Sequence, residues 1–166
     1  MNKEIVSAPT RGIPSGPPHG PREPVLAPDD RLVSETPSKN NDRILIVEDD
    51  LLVASEMEAT LCDAGFEIVG IATTGKEALR LAQAESPILA VMDIRIAGDR
   101  DGIDTALELF RSQGIRCIFA SAHSDHDSRL RAQPAAPLGW LQKPYTMTSL
   151  TEMVRAAARE LRAPPG

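Results

Sequence analysis

Five short, mostly apolar runs, each followed by a segment with helical spacing, constrain this 166-residue chain more than any other feature. The runs are Arg43–Val47, Glu67–Ile71, Ile88–Asp93, Ile115–Ala120 and Leu138–Leu141. After the first, Val53, Met57, Leu61 and Ala64 recur three or four residues apart, and Gly65 stops the helix as a left-handed cap does. Ala78, Leu79 and Ala82 mark a second helix ending before Pro87. Ile103, Ala106, Leu107 and Phe110 mark a third, stopped at Gly114. Asp125–Ala132 is a weak, polar fourth, cut short by Pro134 and Pro137. Leu150, Met153, Val154, Ala157 and Leu161 form the stripe of a fifth, entered through Thr146 and closed by Pro164–Pro165. Near-continuous apolar strands alternating with helices build a parallel sheet covered on both faces. Right-handed crossovers reduce the choices to an open, doubly wound (βα)5 α/β sheet.

In such sheets the functional crevice lies beyond the carboxyl ends of the strands. Glu48-Asp49-Asp50 follows the first strand, Asp93 closes the third, Ser121 follows the fourth and Lys143 the fifth. Carboxylates gathered in one crevice repel and stay ionised only beside a cation. An all-oxygen, partly hydrated set suits Mg2+. A carboxylate beside Mg2+, an ammonium and a hydroxyl is a nucleophile toward phosphorus, and the expected product is an aspartyl phosphate. Each residue alone has a plainer reading: Asp50 as a helix cap, Lys143 as a surface lysine, Ser121 as a turn residue. Their joint arrival at the correct strand ends favours the chemical one.

The same motifs resemble a response-regulator receiver domain of bacterial two-component signalling. They are Ile-Leu-Ile-Val-Glu-Asp-Asp (44–50), Val-Met-Asp-Ile (91–94), Asp-Gly-Ile (101–103), Phe-Ala-Ser-Ala-His-Ser-Asp (119–125) and Leu-Gln-Lys-Pro-Tyr (141–145). The resemblance implies a five-stranded flavodoxin-like sheet in the order 2-1-3-4-5. It implies Asp93 as phosphoacceptor, and Mg2+ held by Asp49, by Glu48 (directly or through water), by Asp93 and by the backbone carbonyl of Arg95. It makes Ser121 the switch hydroxyl, Lys143 the partner of the phosphoryl group, and Trp140 a rotameric switch turning from solvent toward the core. Asp50 falls outside the acidic pair and is expected to cap the first helix. Arg95 and His123 occupy positions that tune dephosphorylation. A bulky Arg95 is expected to impede the attacking water. The Asp93–Gly102 loop is one residue longer than the commonest form. The loop chemistry further resembles receivers served by the HWE/HisKA_2 histidine kinases.

The resemblance implies a phosphoacceptor signalling domain and not an enzyme in its own right. A sensor histidine kinase or phosphotransfer protein would donate the phosphoryl group. A downstream protein would read the surface of the fourth helix, fifth strand and fifth helix, with phosphorylation-dependent dimerisation a further option. The rival readings are an unphosphorylated interaction module and a receiver fragment of a larger signalling protein.

Organisation follows from where prolines and charges fall. The first 41 residues hold 8 of the 14 prolines, five basic and five acidic residues, and no helical or strand period. Such a stretch reads as a flexible tail, with a Pro-rich docking segment as the alternative. The expected division is a tail over 1–41, a receiver domain over 42–162 and a short tail over 163–166. The whole net charge of −6 therefore falls on residues 42–166, with 13 basic against 19 acidic. An acidic domain with 3% aromatics in the chain is a poor direct binder of nucleic acid. No apolar run nears the roughly 20 residues of a membrane span. The absence of a secretory leader and two cysteines in apolar segments, Cys62 and Cys117, point to unpaired buried thiols in the cytoplasm.

Gly70-Ile-Ala-Thr-Thr-Gly75-Lys76 fits a phosphate-binding G-x-x-x-x-G-K loop. Glu77 stands where such a loop needs Ser or Thr, and Gly75 reads instead as a residue that eases the turn into the second helix.

Overall fold

The computed structural model describes residues 42–122 and 126–163. The proposed tail over 1–41, the site candidate His123 and the last residues 164–166 lie outside them. The elements alternate as β1 (Arg43–Val47), α1 (Leu51–Asp63), β2 (Glu67–Ala72), α2 (Gly75–Glu85), β3 (Leu89–Met92), α3 (Gly102–Gln113), β4 (Arg116–Ser121), α4 (His126–Ala132), β5 (Gly139–Gln142) and α5 (Met147–Arg162). A short 3-10 helix, Gln133–Ala135, follows α4 and carries Pro134. All four strand pairings are parallel, in the order β2-β1-β3-β4-β5.

Alternation along each strand builds two cores. Ile44 and Ile46 join Ala54, Met57 and Leu61 of α1 and Leu150, Val154 and Ala157 of α5 on one face. Leu45 and Val47 join Ala78 and Ala82 of α2 and Ile103, Ala106 and Leu109 of α3 on the other. Fully burying each large aliphatic side chain contributes about 1.5–3 kcal/mol. The sheet therefore anchors helices on both faces and leaves its carboxyl edge free for the polar strand ends.

The helix stops and starts have visible chemistry. Asp50 caps α1, accepting from Leu52 N and Val53 N. Thr146 caps α5 through Ser149 N. Gly65 and Gly114 take positive φ values of 93° and 69° at the ends of α1 and α3, a conformation that costs glycine little. At the end of α2 the same left-handed role falls to Ser86, with φ 48°. α4 is the short, polar helix its sequence suggests, and Ala132 is its one buried residue among those described.

Three expectations need correction. Cys62 is exposed, and only Cys117 is buried; Leu61 takes the inward position on α1, so its neighbour, about 100° around the helix, faces solvent. Gly75 is not needed for a turn. Its φ is not positive, and a Cβ there would overlap Thr105 Oγ1, so it is the point where α2 closes onto α3. Trp140 is half-buried, not turned to solvent. Its ring stacks on Phe119 with centroids 4.6 Å apart, and the Arg129 guanidinium lies 4.9 Å from its centroid.

Candidate functional site

Sheet register brings the polar strand ends together. Val47 pairs with Met92, so Glu48 and Asp93 leave neighbouring strands side by side. Asp93 N donates to Val47 O at 2.9 Å. Ser121 pairs with Gln142 across β4 and β5, and its carbonyl accepts from Lys143 N at 3.0 Å. Lys143 is joined to Pro144 by a cis peptide.

Carboxylate oxygens of Glu48, Asp49 and Asp93 lie within 4.8 Å of one another. Asp93 is 8% exposed and Glu48 2%, whereas Asp49 is on the surface. Lys143 Nζ donates to Asp93 Oδ2 at 2.7 Å and to Glu48 Oε2 at 2.8 Å. The second Asp93 oxygen, Oδ1, accepts from Arg95 N at 3.0 Å. Glu48 Oε1 accepts from Asp50 N at 3.2 Å. The three carboxylates gather around a single ammonium, which bonds two of them, so negative charge is in excess in a partly buried place.

Titration follows from that balance. Burial raises the Glu48 carboxyl, and the bonds from Lys143 and Asp50 only partly oppose it. Burial alone would lower the Lys143 ammonium, but the hydrogen bonds to Asp93 and Glu48 outweigh it and hold the lysine charged well above its usual range. Three hard oxygen donors close together could hold a divalent cation. Glu48, Asp49 and Asp93 are the side chains able to hold it.

The long loop after β3 has a defined path. Gly98 takes φ 104°, and Ala97 pairs with Thr74 in an isolated parallel bridge. Ile94 tucks into the core, and Gly102 N donates to Ile94 O at 2.7 Å. A Cβ on Gly102 would overlap the Asp93 carbonyl oxygen, so α3 begins directly beneath the acidic cluster. Ala97 and Gly98 thus lie against Thr74, the cap of α2. Arg95 projects outward from the loop, exposed.

The phosphate-loop pattern at Gly70–Lys76 proves to be a helix cap. Thr74 Oγ1 accepts from Glu77 N at 3.2 Å, and the Glu77 carboxylate accepts from Thr73 N at 3.0 Å. The Glu77 carboxylate, reaching back to the residue before the cap, fills the helix terminus.

The family profile of the response regulator receiver domain matches residues 44–155. The chain belongs to the response regulator receiver family. This receiver is 34% identical over 120 residues to the transcriptional regulatory protein PdtaR of Mycobacterium tuberculosis, covering 72% of this chain and 58% of that protein. It is 28% identical over 115 residues to the phyllosphere-induced regulator PhyR of Methylorubrum extorquens, covering 69% of this chain and 42% of that one. The chain thus spans about half the length of the curated relatives it matches. Among solved structures, the receiver domain of a modulated diguanylate cyclase from Desulfovibrio desulfuricans G20 is 31% identical, with TM-score 0.67, over 72% of this chain and 95% of that one. A CheY-like receiver from Methanospirillum hungatei JF-1 gives TM-score 0.68 at 25% identity, over 72% and 95%.

Two features of this receiver were not legible as site residues. Tyr145 is half-buried beside the site, its hydroxyl 3.8 Å from Met57 Sδ, and burial raises its phenol. Its place two residues after Lys143 was the available signal. Arg131 of α4 reaches Asp101, the cap of α3, and Asp104 in its first turn; nothing in the local sequence announces a contact some thirty residues away. Among the described residues no helix is long and apolar enough to cross a membrane.

Proposed function

We propose that this receiver accepts a phosphoryl group on Asp93 from a histidine kinase or phosphotransfer protein and passes the signal on through protein contacts. The observation that carries the reading is the Lys143 ammonium bonded to both Asp93 and Glu48 beside exposed Asp49. In the transfer, an Asp93 carboxylate oxygen forms a bond to phosphorus while the donor's N–P bond breaks, and the electron pair of that bond returns to the imidazole. Lys143 then faces the incoming negative charge. Ser121, buried at the end of β4, supplies a hydroxyl at the same edge. Glu48, Asp49, Asp93 and the Arg95 carbonyl would hold Mg2+, which supplies charge neutralisation to the phosphoryl oxygens when bound.

Exposed Leu51 and Leu52, at 63% and 84%, flank the acidic cluster and offer the donor an apolar footing. The output surface is α4, β5 and α5, where Trp140, held by Phe119 and Arg129, reports any repacking. The receiver works in the cytoplasm, where its kinase partner presents the donor histidine.

The test is phosphorylation by a small-molecule phosphodonor and by candidate kinases, with and without Mg2+. The wild type should gain one acid-stable, base-labile phosphoryl group only with Mg2+, and Asp93→Asn should gain none. A wild type that takes no phosphate from any donor would instead be an interaction module.

A further inference from the structure

α4 is an unusually weakly founded helix: seven residues, of which only Ala132 is buried. Short helices of this kind hold their place by tertiary ties and not by their own propensity. Two arginines supply such ties. Arg129 lies over the Trp140 ring of β5. Arg131 Nη2 contacts Asp101 Oδ2 at 2.9 Å and Asp104 Oδ1 at 3.2 Å, both at the start of α3.

Asp101 is where the loop from Asp93 re-enters the fold. It caps α3 through Asp104 N at 2.9 Å, and its carbonyl accepts from Thr105 Oγ1 at 2.8 Å. The next residue, Gly102, packs against the Asp93 carbonyl and donates to Ile94 O. An unbroken chain of bonds therefore runs from the acceptor aspartate through Gly102 and Asp101 to Arg131 on α4.

We propose that Arg131 is a positioning residue: by clamping the start of α3 from α4, it holds the β3–α3 loop in the geometry that Mg2+ and the phosphoryl group require. This rests on the phosphoacceptor reading of Asp93. Because coupling between two sites is reciprocal, whatever draws the loop toward a phosphoryl group also shifts α4, through a route separate from Ser121. The ion pair is half exposed, with side-chain exposures of 50%, 34% and 55% for Arg131, Asp101 and Asp104. Its effect is accordingly modest, about threefold in an equilibrium constant.

The experiment compares wild type with Arg131→Ala, Arg131→Lys, Asp104→Ala and the Arg131→Ala/Asp104→Ala double variant. Mg2+ affinity is read by calorimetry, and Trp140 emission is read on adding the phosphoryl mimic beryllofluoride with Mg2+. Arg131→Ala should weaken Mg2+ about threefold and halve the Trp140 response, with Arg131→Lys recovering part of both. Asp104→Ala should give a smaller loss that does not add to that of Arg131→Ala, and 0.5 M salt should narrow the gap between wild type and Arg131→Ala. Full Mg2+ affinity and full Trp140 response in a folded Arg131→Ala variant would overturn the proposal. So would additive losses. Failure of Asp93 to accept phosphate would remove the phosphoacceptor reading, whereas the Mg2+ comparison judges Arg131 without any phosphoryl chemistry.

Discussion

Lys143 Nζ stands 2.7 Å from Asp93 Oδ2, so the residue proposed to receive the phosphoryl group is already paired with the cation proposed to steady it. The same ammonium bonds Glu48 Oε2 at 2.8 Å. Replacing Lys143 by Ala should slow phosphorylation of Asp93 by about a hundredfold, the usual cost of removing one well-placed donor from a charged transition state. Lys143→Arg should keep the charge but lose much of the rate, because a planar fork does not reproduce a point donor. Rates of phosphoryl incorporation from a small donor at saturating Mg2+ check both.

Glu48 is buried, and its carboxyl is raised above the ordinary 4.5 chiefly by burial. A group whose folded value is raised stabilises the fold most when protonated and gives up that contribution as pH rises. At neutral pH, Glu48→Gln should therefore raise the melting temperature in the absence of Mg2+. It should also weaken Mg2+ binding, so that added Mg2+ stabilises the wild type more than the variant. Melting curves with chelator and with Mg2+ decide the matter.

Arg95 is exposed, two residues beyond Asp93, with its backbone N–H bonded to Asp93 Oδ1 at 3.0 Å. Its proposed role is to slow the approach of water to a phosphorylated Asp93. Arg95→Asn should shorten the phosphoryl lifetime several-fold without altering the rate of phosphorylation. An unchanged decay rate would remove Arg95 from that role.

The backbone offers a pair of opposite outcomes. Gly102→Ala forces a methyl group into the Asp93 carbonyl and should destabilise by about 1–3 kcal/mol, with loss of phosphorylation. Ser86→Gly relieves a left-handed φ of 48° far from the site. It should stabilise by about 1 kcal/mol and leave phosphorylation unchanged. Denaturant midpoints measure both.

The two cysteines should separate cleanly. Cys62 is exposed, while burial pushes the Cys117 thiol up to about 12. A thiol reagent at pH 8 should modify one group per folded chain and two per unfolded chain. Mass spectrometry should place the native modification on Cys62.

Periodicity alone determined the parallel α/β sandwich, because continuous apolar strands need cover on both faces and the intervening helices supply it. The polar residues at the strand ends were equally legible, since a parallel sheet carries all of its carboxyl ends to one edge. Asp50 and Thr146 could be read as caps because capping chemistry is local. Tertiary structure decided what depends on distance between elements. It left Glu48 almost fully buried and Asp49 exposed, although the two are adjacent in sequence. It made Gly75 a packing residue against Thr105 and turned Cys62 outward. It stacked Trp140 on Phe119 and brought Arg131 to Asp101 across thirty residues. Local sequence encodes period and turn chemistry, which act within a few residues. Burial and side-chain pairing are set only when the helices settle on the sheet, where side chains remote in sequence meet at a few ångströms.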